Sequence, residues 1–325
     1  MSALTFAALR RLADGKFHSG EEIARSMARS RATLNEALKR VPELGIDLFS
    51  VPGKGYRLAE PIEFLDAPSI ALRTAKAVPR IRLEILDECE STSTRLLEMA
   101  AAGAPSGTCL AAEWQSGGRG RRGRSWVSSL GGSLTFSLLW RFERGAGHLG
   151  GLSLAVGEAV ARAATACGVS RVQVKWPNDV VVDFRKLAGI LVETSGEMQG
   201  PSVAVVGVGL NYRLGERALE RIDQPVIDIA QCADPVPSRS ELLATLLTTL
   251  AASLEAFDTH GFAASRQAWR SLHAYQARRV RVSPGREAAF DAEVVDVSPD
   301  GALVVRTADD RIVNLASAEI TLRAK

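Results

Sequence analysis

The sequence predicts an α+β chain in three parts. These are an N-terminal winged helix-turn-helix over residues 1–62, a central mixed β-sheet with helices over 63–270, and a C-terminal SH3-like β-barrel over 271–325. Three observations carry this expectation. Short helical repeats followed by a glycine-rich hairpin open the chain, strand-like runs alternating with helical stretches fill its middle, and short β-runs joined by turns close it. A length of 325 residues allows several domains, and 46% hydrophobic with 24% charged residues is ordinary for a globular chain. Residues 1–60 hold ten Lys or Arg against seven Asp or Glu, while the remainder balances thirty against thirty. The whole excess of +3 therefore lies at the N-terminus and hints at a nucleic-acid partner there. Four scattered cysteines form no C-x-x-C, and four scattered histidines form no H-E-x-x-H. This pattern argues against a disulfide framework or a built-in metal site, and for a reducing, cytoplasmic setting. No signal peptide and no membrane-spanning apolar run are expected.

In the first part, Leu4, Ala8 and Leu12 recur at helical spacing, and Asp14-Gly15 ends that helix. Ser19-Gly20-Glu21-Glu22 reads as a capping box for a second helix with Ile23 and Met27 inward. Ser30 caps a third, expected over residues 31–40, with Leu34, Leu38 and Val41 inward and Pro42 as its stop. Two short strands around Pro52-Gly53-Lys54-Gly55 form the wing. The third helix would enter a major groove, with Arg31, Thr33 and Asn35 as base-contact candidates and Lys54 on the wing. A small helical module that binds protein is the alternative.

In the middle part, residues 81–86 alternate as a strand and run into the polar cluster Glu90-Ser91-Thr92-Ser93-Thr94, which opens a helix ended by Gly103. Thr108 to Trp114 is a second strand. Ser133 to Leu138 alternates strictly, which predicts a strand with one face buried. An Ala-rich helix over residues 149–167 follows, then strand-like runs at 172–179, at 180–182 turning through 183–185 into 186–193, and at 203–211. Close succession with tight turns predicts a largely antiparallel sheet with helices on one face. Gly189, Gly207 and Gly209 weaken their strands and need a reason: close approach of a ligand, or close packing of a helix.

Gly118-Arg119-Gly120-Arg121-Arg122-Gly123-Arg124 holds four arginines in seven residues, and no acidic residue occurs from Gln115 to Gly132. Such a loop repels itself until an anion arrives, which suggests a lid over an anionic ligand; a solvated basic loop or a nucleic-acid patch remains open. Its glycine spacing matches a dinucleotide fingerprint, but no helix follows, and no Walker A sequence exists elsewhere. In the last part, residues 279–282, 292–297, 302–306 and 311–315 are short strands, with a turn at Pro299-Asp300-Gly301.

With these pieces in order, the chain resembles the bifunctional biotin–protein ligase and biotin-operon repressor family. The resemblance rests on Gly118–Arg124, Lys175-Trp176-Pro177-Asn178-Asp179, Arg185–Leu191 and Gly207-Val208-Gly209-Leu210-Asn211, together with Phe17–Gly20 and Val51–Tyr56 at the N-terminus. It implies a class II synthetase-like biotin/lipoate ligase fold. It also implies a two-step reaction in which biotin and ATP give biotinyl-5′-AMP and a carrier-protein lysine then takes the biotin. Lys186 and Arg121 would be catalytic, Lys186 over the biotin carboxylate. Ser91, Thr92 and Gln115 would hold the ureido ring, Gly118 and Arg119 would close on biotin, and Gly189, Gly207 and Gly209 would let it lie on the sheet. Arg121 and Arg124 would meet phosphate, Trp126 would cover adenine, and Lys175, Asn178, Asp179 and Asn211 would line the nucleotide side, Asp179 touching Mg²⁺. The implied partners are a biotin carboxyl carrier protein, operator DNA and a second copy of the chain once ligand is bound, with no membrane. The C-terminal barrel would help position ATP and the carrier, or serve as a cap. Ser93 stands where the family usually has Asn; a capping role would make the change mild, a pocket role would alter biotin affinity. The rivals are a biotinyl-AMP sensor that has lost ligation, and a lipoate ligase, which lacks this arginine-loop sequence.

Overall fold

A computed structural model of the chain describes residues 1–75, 78, 80–283 and 288–316, with the backbone of 321–324. Helix α1 (Ala3–Leu12) is capped by Ser2, α2 (Gly20–Ser26) by Ser19, and α3 (Arg31–Leu38) by Ser30, each hydroxyl accepting an otherwise unpaired backbone N–H. The third helix stops earlier than its periodicity suggests. Pro42 sits inside a 3₁₀ turn, Val41–Leu44, which carries Val41 into the core without continuing the helix. Strands β1 (Leu48–Val51) and β2 (Gly55–Leu58) pair antiparallel as the wing. Arg31, Thr33, Asn35 and Lys54 are all exposed, and the Asn35 carboxamide oxygen accepts from the Tyr56 hydroxyl at 3.1 Å.

Helix α4 (Ala67–Thr74) leads to β3 (Arg82–Cys89), α5 (Thr92–Ala101), β4 (Thr108–Gln115) and β5 (Ser133–Phe142). Next come α6 (Leu152–Ala166), β6 (Val172–Lys175), β7 (Asp179–Val182), β8 (Arg185–Gly196) and β9 (Ser202–Asn211). Two short helices, α7 (Glu216–Leu219) and α8 (Ile229–Cys232), precede α9 (Arg239–His260) and α10 (Ala263–Leu272). Seven strands form one sheet in the order β3-β4-β5-β9-β8-β7-β6, parallel only between β3 and β4. The expectation of helices on one face is corrected: α6 and α9 cover one face, while α5 packs on the other through Leu96, Leu110, Leu139 and Val205. The alternation of β5 likewise does not mark a solvent face, because its residues are buried on both sides except near the end. Its polar members are buried and hydrogen-bonded to neighbouring protein groups instead. One run, α9, is long and apolar enough to cross a membrane, contrary to the sequence expectation. Its leucines at 242, 243, 246, 247, 250 and 254 are buried in the core, each worth about 1.5–3 kcal/mol, which accounts for its composition.

The C-terminal strands β10 (Arg279–Ser283), β11 (Phe290–Val297), β12 (Leu303–Thr307), β13 (Ile312–Leu315) and β14 (Thr321–Ala324) form an antiparallel SH3-like sheet in the order β13-β12-β11-β10-β14. Trp176 anchors this sheet, its indole N–H donating to the Gly301 carbonyl at 3.1 Å. Nearby, His273 stacks on Trp269 with ring centroids 4.5 Å apart, and burial pulls its pKa down to about 4. The folded state thus binds fewer protons than the unfolded chain between about pH 6.5 and 4, so His273 stabilises fully above that window and less as pH falls through it. His273→Phe should remove up to about 3 kcal/mol of acid sensitivity over this window. Denaturant midpoints from pH 7 to 4 check this, and equal pH slopes in both proteins would contradict it.

The N-terminal module meets the central sheet through a shared core: Trp114 and Leu130 pack with Phe6, Leu9 and Leu44. The connecting segment is fixed by a fully buried ion pair. Arg239 donates to Glu113 at 2.6 Å and to the carbonyls of Glu63 and Ser133, and Glu113 accepts the Leu65 N–H at 2.7 Å. Removing one charge strands the other in a dry site, so Glu113→Gln should cost about 3–5 kcal/mol in urea unfolding, and Glu113→Leu combined with Arg239→Met should recover part of it. A Glu113→Gln protein as stable as the parent would show that Arg239 needs no counter-charge.

Candidate functional site

Strand register assembles the site. Thr135 on β5 faces Gly209 on β9, Gly209 faces Gly189 on β8, Gly189 faces Asp179 on β7, and Asp179 faces Lys175 on β6. In the adjoining row Ser137, Gly207 and Leu191 stand side by side. Three glycines in adjacent rows leave a trough on the α5 face, with polar groups at both ends. The cleft above it is lined by most of the residues singled out in the sequence.

Strict alternation would turn Lys186 toward the core with Ala188 and Ile190. A β-bulge intervenes: Ala188 pairs with Val180 and Lys186 with Val181, leaving Leu187 as the extra residue. Leu187 and Ala188 both enter the core, and Lys186 swings to the trough. Its ammonium lies 2.8 Å from Asp179 Oδ1 and 5.8 Å from the centroid of the Trp126 ring.

At the other end, the Gln115 side-chain oxygen accepts the Thr92 N–H at 2.7 Å, and Thr92 Oγ1 and Ser93 Oγ lie 2.8 and 3.0 Å from Ser137 Oγ. Ser91, not Ser93, caps α5. Ser93 faces the pocket, within 2.5 Å of where a Cβ on Gly207 would stand. Its difference from the usual Asn is therefore a pocket difference.

The arginine loop is folded down rather than self-repelling. Arg119 reaches Glu193 at 2.8 Å and Thr94 at 3.3 Å, Arg121 donates to Asn178 at 3.3 Å, and Trp126 N–H closes on the Gly118 carbonyl at 2.8 Å. Sequence distance concealed Glu193 as the counter-charge. Burial, reinforced by neighbouring Arg122, lowers the Arg121 pKa, and Asp179 acts the other way. The guanidinium remains a fixed cation. Trp126 caps the trough: a Cβ on Gly209 would stand 2.4 Å from its ring, and one on Gly189 would stand 3.2 Å away. Gly189 and Gly209 thus admit a flat ring against the sheet, whereas Gly207 admits helix α5 through Ser93.

Arg124 and Lys175 also line the cleft, whereas Gly118 and Asn211 do not. Gly118 serves the loop's own closure, since a Cβ there would meet the Trp126 carbonyl at 2.7 Å. Sequence reasoning missed Gln224, Ser125 and Phe136, which line the cleft outside the quoted motifs, and passed over Val208 within one. Among the described residues no group of three or more His, Cys, Asp or Glu could cage a metal.

Comparisons agree with this geometry. A model described as the biotin/lipoate A/B protein ligase family matches residues 86–211, and one described as an HTH domain matches residues 5–57. The bifunctional ligase/repressors BirA of Salmonella typhimurium and Escherichia coli are each 36% identical over 317 residues, which cover 96% of this chain and 95% of theirs. The solved biotin protein ligase from Aquifex aeolicus in complex with biotin and ATP superposes with a TM-score of 0.64 at 28% identity, covering 75% of this chain and 99% of that one. Fold and matches together define a protein ligase of the biotin/lipoate type joined to a helix-turn-helix module. With full-length similarity to two such proteins, the chain belongs to the bifunctional biotin ligase/repressor family.

The trough yields a direct expectation. Gly209→Ala must displace the Trp126 ring, so the variant should stay folded while biotin affinity falls at least about tenfold, a loss of about 1.4 kcal/mol. Calorimetric titration checks this, and unchanged affinity would show that the ring position is immaterial.

Proposed function

We propose that this chain activates biotin with ATP and transfers it to a lysine of a biotin carboxyl carrier domain. The observation that carries the reading is the convergence of Lys186, Asp179, Arg121 and Asn178 on a glycine-floored trough capped by Trp126. Two anions must meet in the first step, and fixed cations in a partly dry cleft reduce their repulsion. Lys186 holds the biotin carboxylate. Ser91, Thr92 and Gln115 hold the ureido ring, with the Ser93 and Ser137 hydroxyls beside it. Gly189, Gly207 and Gly209 give the ring and tail their floor, and Arg119 closes over them.

A carboxylate oxygen attacks the α-phosphorus and pyrophosphate leaves, giving biotinyl-5′-AMP. The carrier amine then attacks the acyl carbon, an amide forms and AMP leaves. Arg121 and Arg124 hold the phosphates, Lys175 and Asn178 line the nucleotide side, and Trp126 covers the adenylate. Mg²⁺ arriving on ATP needs only one or two carboxylates, which Asp179 fits, and when bound it would neutralise phosphate charge. No side-chain nucleophile is required.

The N-terminal module, with boundaries taken near residues 62 and 270 for the three parts, would give repression. Exposed Arg31, Thr33, Asn35 and Lys54 would meet operator DNA, and a ligand-bound homodimer would supply the two half-sites that one small module reads weakly. Four free cysteines are consistent with a cytoplasmic setting. A sensor without ligation would have no need of Lys186, Asp179 and Lys175 together.

Incubation with ATP, Mg²⁺, biotin and a carrier domain should add one biotin to the carrier lysine, read by intact mass. No mass gain beside a working control ligase would refute the ligase reading. Arg121→Gly should stay folded, release adenylate prematurely and label lysines of bystander proteins. Retained carrier selectivity in that variant would count against the clamp role of the loop.

A further inference from the structure

Successive residues of β8 alternate between its two faces, so Glu193 shares the trough face with Gly189 and Leu191. It pairs with Val205 of β9, the next row on that face beyond Leu191 and Gly207. Its carboxylate takes a two-pronged grip from Arg119, Nη2 donating to Oε1 at 2.8 Å and Nη1 to Oε2 at 3.3 Å. Nη1 also donates to Thr94 Oγ1 at 3.3 Å, in the first turn of α5. Arg119 therefore spans the hydroxyl-lined end of the trough, from its β-strand floor to its helical wall. The loop that carries it is closed on itself. The Gly120 N–H donates to the Arg124 carbonyl at 2.7 Å and the Trp126 N–H to the Gly118 carbonyl at 2.8 Å, with Arg119 bridged to Ser125. A unit so closed moves as one body, positioned by its outward bonds from Arg119 and Arg121.

The two ends of that body meet different charge. On the reading proposed above, biotin brings its carboxylate to Lys186, and ATP brings phosphate to Arg121 and Arg124. The bicyclic ring end of biotin is neutral, so no part of the ligand can balance Arg119. The loop has no acid of its own between Gln115 and Gly132. The counter-charge must come from the protein, and Glu193 supplies it. We propose that Glu193 is a positioning residue for biotin binding. Through Arg119 it holds the arginine loop closed over the ring end of biotin before phosphate arrives. The role rests on biotin lying in the trough with its carboxylate at Lys186.

The test is release of radiolabelled biotin from the full chain into excess unlabelled biotin, without nucleotide, for the parent, Glu193→Gln, Arg119→Ala and the double variant. Thermal scans establish folding, and Glu193→Ser replaces Glu193→Gln should that variant not fold. Glu193→Gln should release biotin about fivefold faster, the upper range for a partly exposed pair. Glu193→Asp, which keeps the charge, should release it more slowly than Glu193→Gln. The gap between parent and Glu193→Gln should narrow at about 1 M salt, where the screening length falls to about 3 Å. A bound non-hydrolysable biotinyl adenylate should leave a smaller gap, because its phosphate engages Arg121 and Arg124. The double variant should be no faster than Arg119→Ala alone, since the effects of residues in one ion pair are not additive. Equal release by parent and Glu193→Gln, additive losses, or a gap indifferent to salt would overturn the proposal. A parent protein that retains no labelled biotin would instead sink the trough reading itself, and the positioning role with it.

Discussion

The contact between Lys186 and Asp179 depends on two constraints of the central sheet. One is a register that lines up Thr135, Gly209, Gly189, Asp179 and Lys175 across five strands. The other is a single bulge that turns Lys186 out of the core. Without the register the glycines would not join into a trough. Without the bulge the cation would face leucines and valines. An ammonium and a carboxylate 2.8 Å apart, each about one-fifth exposed, are held in a setting where charge counts for more than in bulk water. On the proposed reading an incoming carboxylate would take the ammonium and a phosphate-borne cation would take Asp179.

The loop and the DNA-facing module are tied to the same sheet. Residues Ser129 and Leu130, which follow the arginine loop, hydrogen-bond to Gly45 and Leu44 at the end of the helix-turn-helix. Gln115, at the hydroxyl-lined end of the trough, lies two residues from Glu113, which grips the linker with Arg239. Trp126 lies three residues from Ser129, and Thr92 bonds Gln115, two residues from Glu113, so a ligand that moves either would pull on contacts close to the N-terminal module. This adjacency would give the proposed coupling of occupancy to repression a physical path.

Much of the fold was legible because the local signals agree with the tertiary outcome. Ser19 and Ser30 cap as their positions suggest, glycines end helices, and the hairpin glycines form the wing. The motif residues of the site were legible as types: arginines and a lysine for anions, glycines for close approach. What sequence could not supply is set by long-range pairing. Strict alternation in β5 reads as a solvent face, whereas its serines and threonine are buried and hydrogen-bonded to neighbouring protein groups. The Leu187 bulge has no local signature, and Glu193 lies 74 residues from the arginine it neutralises. Asn211 resembles a ligand contact by motif, and the fold adds bonds from its Nδ2 to the carbonyls of Lys186 and Ile227 that the motif does not announce.

The most direct test of the account is a crystal structure with a non-hydrolysable biotinyl adenylate bound. The acyl chain should lie over Gly189, Gly207 and Gly209 with the Trp126 ring lifted from Gly209. Lys186 should sit within hydrogen-bond distance of the oxygen derived from the biotin carboxylate. A ligand seated away from the glycine trough, or Lys186 still paired with Asp179 and remote from that oxygen, would contradict it.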